Sequence, residues 1–212
     1  GTTFLIALLV FYAVRTINRN LDWANSLTLW AKTVSCSPQS SKAHNNLGLS
    51  FYRNGNYDKA INEYNKTIKL NPNYPKVYFN LGVIYNKQDK LDLALEYFKK
   101  SIEIQPDFAD AYLKMGIIYR KKRMYEKAID SYKKAIKSKQ DNIDAYNNLA
   151  MIYTMNNRLD DAIYYYEKAI DINPNIAILH YNLGLVYRNK GLFDKAQLEF
   201  NITKQLENIN KK

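Results

Sequence analysis

The sequence predicts an all-α solenoid: a series of helix–turn–helix units stacked on one another. Three observations carry this. A pattern of columns recurs every 34 residues through most of the chain. Glycine (7) and proline (5) are scarce and fall at regular places, while tyrosine is abundant, with 19 residues. Within each period the apolar residues keep helical spacing, not strand alternation. A search for internal repeats therefore comes before any other reading.

The first column is Leu47-Gly48, Leu81-Gly82, Met115-Gly116, Leu149-Ala150 and Leu183-Gly184. Three residues past each small residue stands an aromatic: Phe51, Tyr85, Tyr119, Tyr153 and Tyr187. An alanine follows at the same step (Ala60, Ala94, Ala128, Ala162, Ala196), then a second aromatic (Tyr64, Phe98, Tyr132, Tyr166, Phe200). Leucine, small residue and aromatic share one face of a first helix. The small residue and the alanine of the second helix let the two backbones approach, and the aromatics fill the remaining volume. Gly55, Asp89, Asn157 and Gly191 stand at the turn between the helices, where a left-handed backbone is tolerated by these types. Arg123 holds that place in the third unit, so its turn is expected to be less comfortable. Pro72, Pro106 and Pro174 end units because proline cannot continue a helix; Gln140 and Asn208 replace it in the third and fifth.

These columns resemble the tetratricopeptide repeat family over about residues 41–210. The resemblance implies five full units, 41–74, 75–108, 109–142, 143–176 and 177–210, wound into a right-handed superhelix with a concave groove, and a protein–protein interaction role. Counting back one period from Tyr64 and Pro72 reaches Trp30 and Pro38, so residues 16–40 hold a junction and the second helix of a partial repeat, at Asp22–Ser37. It is expected to pack on the first full unit. No polar capping helix follows the last unit, which leaves self-association through that end open.

Residues 4–14 (FLIALLVFYAV) are an unbroken apolar run, followed by Arg15 and Arg19. As a helix it would span only about 16 Å, at roughly 1.5 Å per residue, against about 30 Å of hydrocarbon. Basic residues follow it instead of preceding it, unlike a signal peptide. We read residues 1–15 as the end of a transmembrane helix and the chain, which starts at Gly1, as a fragment or processed product. The stretch Arg19-Asn20-Leu21-Asp22-Trp23, with Leu29-Trp30, Ser37-Pro38, Lys42-Ala43 and Asn45-Asn46-Leu47-Gly48, is similar to the junction of transmembrane-and-tetratricopeptide O-mannosyltransferase-like proteins and of bacterial C-type glycosyltransferase-like proteins. That resemblance implies a membrane anchor and a lumenal or periplasmic side. Arg15 and Arg19 favour the cytoplasmic side. The side stays open, as does an alternative function as the substrate-recruiting arm of such a glycosyltransferase.

Catalytic chemistry is not indicated. The chain has no glycine-rich phosphate loop, no HExxH and a single cysteine, Cys36, which precludes an internal disulfide. His44 and His180 stand where Tyr78, Tyr112 and Tyr146 stand in other units, so they read as replacements for a packing aromatic, with no metal between them. Asp58, Glu63, Asp92, Glu96 and Asp130 read as repeat-surface carboxylates. Neither enzyme activity nor a cofactor is expected. Asn65–Thr67 and Asn201–Thr203 are glycosylation triplets that matter only in a eukaryotic lumen.

The expected working surface is the groove lined by the first helix of each unit. Its sixth positions are Asn46, Asn80, Lys114, Asn148 and Asn182. An amide side chain both donates and accepts, so such a ladder can hold an extended peptide backbone whatever its sequence; it resembles the ladder in the repeats of O-GlcNAc transferase. Lys42, Arg53, Lys76, Lys87, Arg120, Lys121 and Arg188 surround it, against Asp110 and Asp144, with Tyr52, Phe79 and Tyr181 as aromatic surface. With a net charge of +11, the predicted partner is an acidic peptide or unstructured segment. Nucleic acid is the disfavoured reading. The lysine–asparagine clamp of chaperone-binding repeats is absent, since the ninth positions (Leu49, Val83, Ile117, Met151, Leu185) are all apolar.

Overall fold

The computed structural model describes residues 26–209, and every regular element there is helical. In chain order these are α1 (Ser26–Cys36), α2 (Ser41–Arg53), α3 (Tyr57–Leu70), α4 (Pro75–Lys87), α5 (Leu91–Ile104), α6 (Ala109–Lys121), α7 (Tyr125–Ser138), α8 (Ile143–Met155), α9 (Leu159–Ile172), α10 (Ala177–Asn189) and α11 (Phe193–Ile209). The even-numbered helices are the first helices of the five units. The chain divides into two compact units, one ending at Tyr97 and the other beginning at Phe98, within α5. The apolar run 4–14 and its transmembrane reading lie outside the described residues. Among those described, no helix is long and apolar enough to cross a membrane.

In the N-terminal unit, α1 packs on α2, and α2 on α3, as the partial-repeat reading expects. No side chain of α1 is fully buried; Leu27, Trp30 and Val34 are half-covered. The core is Ala60, Tyr64, Val77, Leu81 and Ile84. In the C-terminal unit a continuous core runs through α6 to α11, including Leu113, Ala128, Tyr132, Leu149, Ala150, Tyr166, Leu183 and Ala196.

The small-residue column meets the second aromatic column directly. A methyl group added at Gly48 would lie 2.6 Å from the Tyr64 ring, at Gly116 2.5 Å from Tyr132, and at Gly184 2.6 Å from Phe200. Contacts this short force a shift, so glycine sets the approach of the two helices in these units. The fourth unit carries Ala150 in this column, and both Ala150 and Tyr166 are buried in the C-terminal core.

All five inter-helix turns close alike. Residues 55, 89, 123, 157 and 191 have positive φ, from 56° to 78°. In the first turn Gly55 N–H donates to Tyr52 O (3.0 Å) and Asn56 N–H to Phe51 O (2.8 Å), the pairing that satisfies the last carbonyls of a helix. Arg123 takes φ 57° with the same bonds, to Arg120 and from Met124 to Tyr119. The left-handed region costs a non-glycine residue about 1 kcal/mol. Arg123→Gly is therefore expected to raise stability by about 1 kcal/mol, read as a shifted midpoint in guanidinium unfolding; an unchanged or lower midpoint would contradict it.

Candidate functional site: the faces of the first helices

In the N-terminal unit, α2 (SKAHNNLGLSFYR) and α4 (PKVYFNLGVIYNK) contain no aspartate or glutamate. Lys42, Arg53, Lys76 and Lys87 are all exposed on these two helices. The Lys87 ammonium stands 5.3 Å from the centroid of the Tyr52 ring, and its pKa is held above the ordinary value, first by Tyr52 and then by Tyr57. Between the cations runs an amide chain. Asn80 Nδ2 donates to Asn45 Oδ1 (3.1 Å) and Asn45 Nδ2 donates to Asn46 Oδ1 (3.3 Å). Asn45 is buried, while Asn46 and Asn80 are half-buried. This chain orients both ladder amides and leaves each with hydrogen-bonding capacity to spare, because an amide has two donors and an oxygen with two lone pairs.

The C-terminal unit repeats the theme with a different charge. Asn182 Nδ2 donates to Asn147 Oδ1 (3.4 Å). Asn148 has Leu113 where Asn45 or Asn147 serves the other pairs, and it donates instead to Asp144 O of its own helix (2.7 Å). Lys114 is half-buried beside these helices, and Lys121 and Arg188 are exposed. Asp110 and Asp144 are exposed at the places that Lys42 and Lys76 hold in the N-terminal unit. Arg120 is half-buried with its Nε enclosed and without a hydrogen-bond partner. The expectation of a positive face thus fits α2 and α4 better than α6, α8 and α10.

One pair of residues departs from the sequence reading. Glu63 is not on the surface: it is 6% exposed. His44 Nδ1 lies 2.6 Å from Glu63 Oε2 and His44 Nε2 3.0 Å from Pro38 O. Lys66 Nζ donates to the other carboxylate oxygen at 2.7 Å. Four units later, His180 Nδ1 lies 2.7 Å from Glu199 Oε2 and Nε2 2.8 Å from Pro174 O. Each ring thus spans a carboxylate oxygen on one side and a backbone carbonyl on the other, using both of its nitrogens. Tyr78 makes the corresponding bond in the second unit, from its hydroxyl to Pro72 O (2.9 Å). The histidines are structural, as the sequence suggested, but they act as polar ties and not as apolar filler.

The same two units explain the glycosylation triplets. Thr67 and Thr203 are buried. Thr67 Oγ1 donates to Glu63 O (3.0 Å) and approaches Ser41 O (3.3 Å). Thr203 does the same with Glu199 O and Ala177 O. Both threonines are spent on the fold, mid-helix.

Burial also acts on the tyrosines. It pushes the Tyr166 phenol up to about 12 and raises Tyr64 and Tyr132. Tyr187 also rises to about 12, by burial and by its bond to Glu167 Oε1 at 2.9 Å. A phenol raised in the folded state stabilises it fully below the unfolded value of about 10 and loses that contribution as pH climbs through the folded value. The protein is expected to lose stability from about pH 10 upward. Circular dichroism across that range should show the Tyr166→Phe variant losing less stability than wild type; identical losses would contradict the assignment.

Among the described residues no group of His, Cys, Asp or Glu could hold a metal ion, and no nucleophile–base pair is assembled. Cys36 is exposed at the end of α1. On α11, Phe193, Leu198 and Ile209 are 68%, 58% and 68% exposed.

The chain belongs to the tetratricopeptide repeat family, whose fold is that of a protein-interaction module. Family models described as TPR repeat match residues 48–89 and 118–157, and models described as tetratricopeptide repeat match 75–108, 143–176, 97–130 and 165–198. Among solved structures, one of MamA is 30% identical with a TM-score of 0.71, covering 78% of this chain and 96% of that one. MamA from Desulfovibrio magneticus RS-1 is 20% identical (TM-score 0.72; 81% and 97% covered). YrrB, described as a TPR protein with an unusual peptide-binding site, is 18% identical (TM-score 0.67; 84% and 91% covered). No curated protein sequence matches.

Proposed function

We propose that this protein is an interaction module whose α2–α4 face takes an extended, acidic segment of a partner protein. One observation carries the reading: four exposed cations and no carboxylate on two adjacent helices, arranged around an oriented chain of amides. The amides of Asn46 and Asn80 would meet the partner's backbone. Lys42, Arg53, Lys76 and Lys87 would meet its carboxylates. The α6–α8–α10 face, with Lys114, Asn148 and Asn182 beside Asp110 and Asp144, would add backbone contacts with less preference for charge.

The test is fluorescence anisotropy with a labelled, extended Asp/Glu-rich peptide and its Asn/Gln-rich counterpart. Asn46→Ala with Asn80→Ala is expected to weaken both about tenfold, since about 1.4 kcal/mol is one or two lost hydrogen bonds. Lys42→Glu with Lys76→Glu is expected to weaken the acidic peptide alone. Equal binding by all variants would remove the reading.

A membrane tether through residues 4–14 is the companion reading, supported by the apolar run and by the resemblance at the junction. The recruiting arm of a membrane glycosyltransferase rests on that resemblance alone. Carbonate extraction of membranes from cells expressing the full chain tests the tether: recovery in the soluble fraction would exclude it.

A further inference from the structure

The second and fourth units fill one place with a tyrosine that the third unit leaves empty. Tyr97 stacks on Tyr85, with ring centroids 5.2 Å apart and planes at 21°. Tyr165 stacks on Tyr153, at 5.4 Å and 12°. In each case a second-helix tyrosine covers the aromatic of the first helix. The third unit keeps the first-helix ring, Tyr119, but carries Ser131 at the position of Tyr97 and Tyr165. Ser131 is 3% exposed and turns its hydroxyl back to Lys127 O at 2.7 Å. The first and fifth units use Glu63 and Glu199 there, each drawn onto a histidine. The third has neither the ring nor the carboxylate, since Tyr112 stands where His44 and His180 do.

The result is a cleft of about 240 Å³ lined by Ile102 of α5, Tyr112, Met115 and Tyr119 of α6, and Ser131 of α7, with the exposed Asp130 and Lys134 beside it. A cavity of about 150 Å³ is known to take a benzene ring, so this volume suffices for a phenol. Asp130 and Lys134 are paired at 2.7 Å and largely exposed, and so offer an acceptor and a donor to a hydroxyl at the mouth. Lys127 holds its ammonium 5.9 Å from the Tyr119 centroid; being exposed, it can swing onto the face of an incoming ring. Tyr112, Met115 and Tyr119 share one face of α6 at helical spacing, and Lys114 lies well round the helix from them. The cleft is therefore separate from the ladder face.

We infer that this cleft is a second binding site, which takes a tyrosine side chain projecting from a partner protein. The guest ring would lie on Tyr119 as Tyr97 lies on Tyr85 and Tyr165 on Tyr153. The inference does not depend on the peptide face.

The probe is p-cresol, the tyrosine side chain without its backbone, titrated into the whole protein and followed by amide NMR. A dissociation constant on the order of millimolar is expected for so small a ligand, with shifts centred on Tyr112, Tyr119, Ser131 and Lys134. Ser131→Tyr fills the place from within: it should abolish those shifts and raise the melting temperature. Tyr119→Leu removes the stacking face and should weaken binding at least tenfold, which keeps the test decisive if Ser131→Tyr folds poorly. Asn148→Ala with Asn182→Ala should bind p-cresol as wild type does. Shifts that miss the cleft, or that persist unchanged in both Ser131→Tyr and Tyr119→Leu, overturn the proposal.

Discussion

Tyr64→Ala is expected to destabilise the protein by about 3–5 kcal/mol, the range for truncating a fully buried aromatic. Tyr64 is 0% exposed and belongs to the N-terminal core. Its ring occupies the space that the missing side chain of Gly48 leaves open, so truncation leaves a cavity between α2 and α3. Tyr64→Phe should behave in the opposite way. The Tyr64 hydroxyl is buried without a hydrogen-bond partner, and Phe200 occupies the same place against Gly184. Removing an unsatisfied hydroxyl relieves desolvation of about 1 kcal/mol. Chemical unfolding of the three proteins checks both halves. A Tyr64→Phe protein less stable than wild type would show that the hydroxyl is bonded in solution.

The second large effect is at the buried pair. His44→Leu leaves the Glu63 carboxylate buried with only Lys66 beside it, and Glu63→Leu leaves His44 without its carboxylate. Removing one partner of a buried ion pair costs about 3–5 kcal/mol. The double change His44→Tyr with Glu63→Tyr should recover most of that loss. It installs the pair that the fourth unit uses, where Tyr146 and Tyr165 stand 6.2 Å apart. A cycle of single and double variants, read by guanidinium unfolding, isolates the coupling. Additive losses would mean that the two side chains do not depend on each other.

These pairs show where reading a repeat sequence succeeds and where it stops. Gly48, Gly116 and Gly184 were legible because the residues they meet recur in the same register. Arg123 was legible because its four counterparts are glycine, aspartate or asparagine, and the structure gives it the same positive φ. A single column suggests a surface carboxylate at Glu63, which is in fact buried. The signal lay between columns: His44 with Glu63, and His180 with Glu199, against Tyr146 with Tyr165. The empty place at Ser131 needed the same comparison, and also the stacking geometry of Tyr85–Tyr97 and Tyr153–Tyr165, which no spacing reveals. The ladder positions were legible as a column. That Asn45 and Asn147 hold two of them was not, because a bond between successive units depends on how closely the helices pack.

The proposed role of the α2–α4 face is to bind an acidic, extended segment. Amide NMR of the protein titrated with an Asp/Glu-rich peptide tests it most directly. Saturable shifts are expected at Lys42, Asn46, Lys76 and Asn80, weakening as salt rises, with α3 little affected. Shifts that fall on α7 and α9 instead, or none at all at low salt, would contradict it.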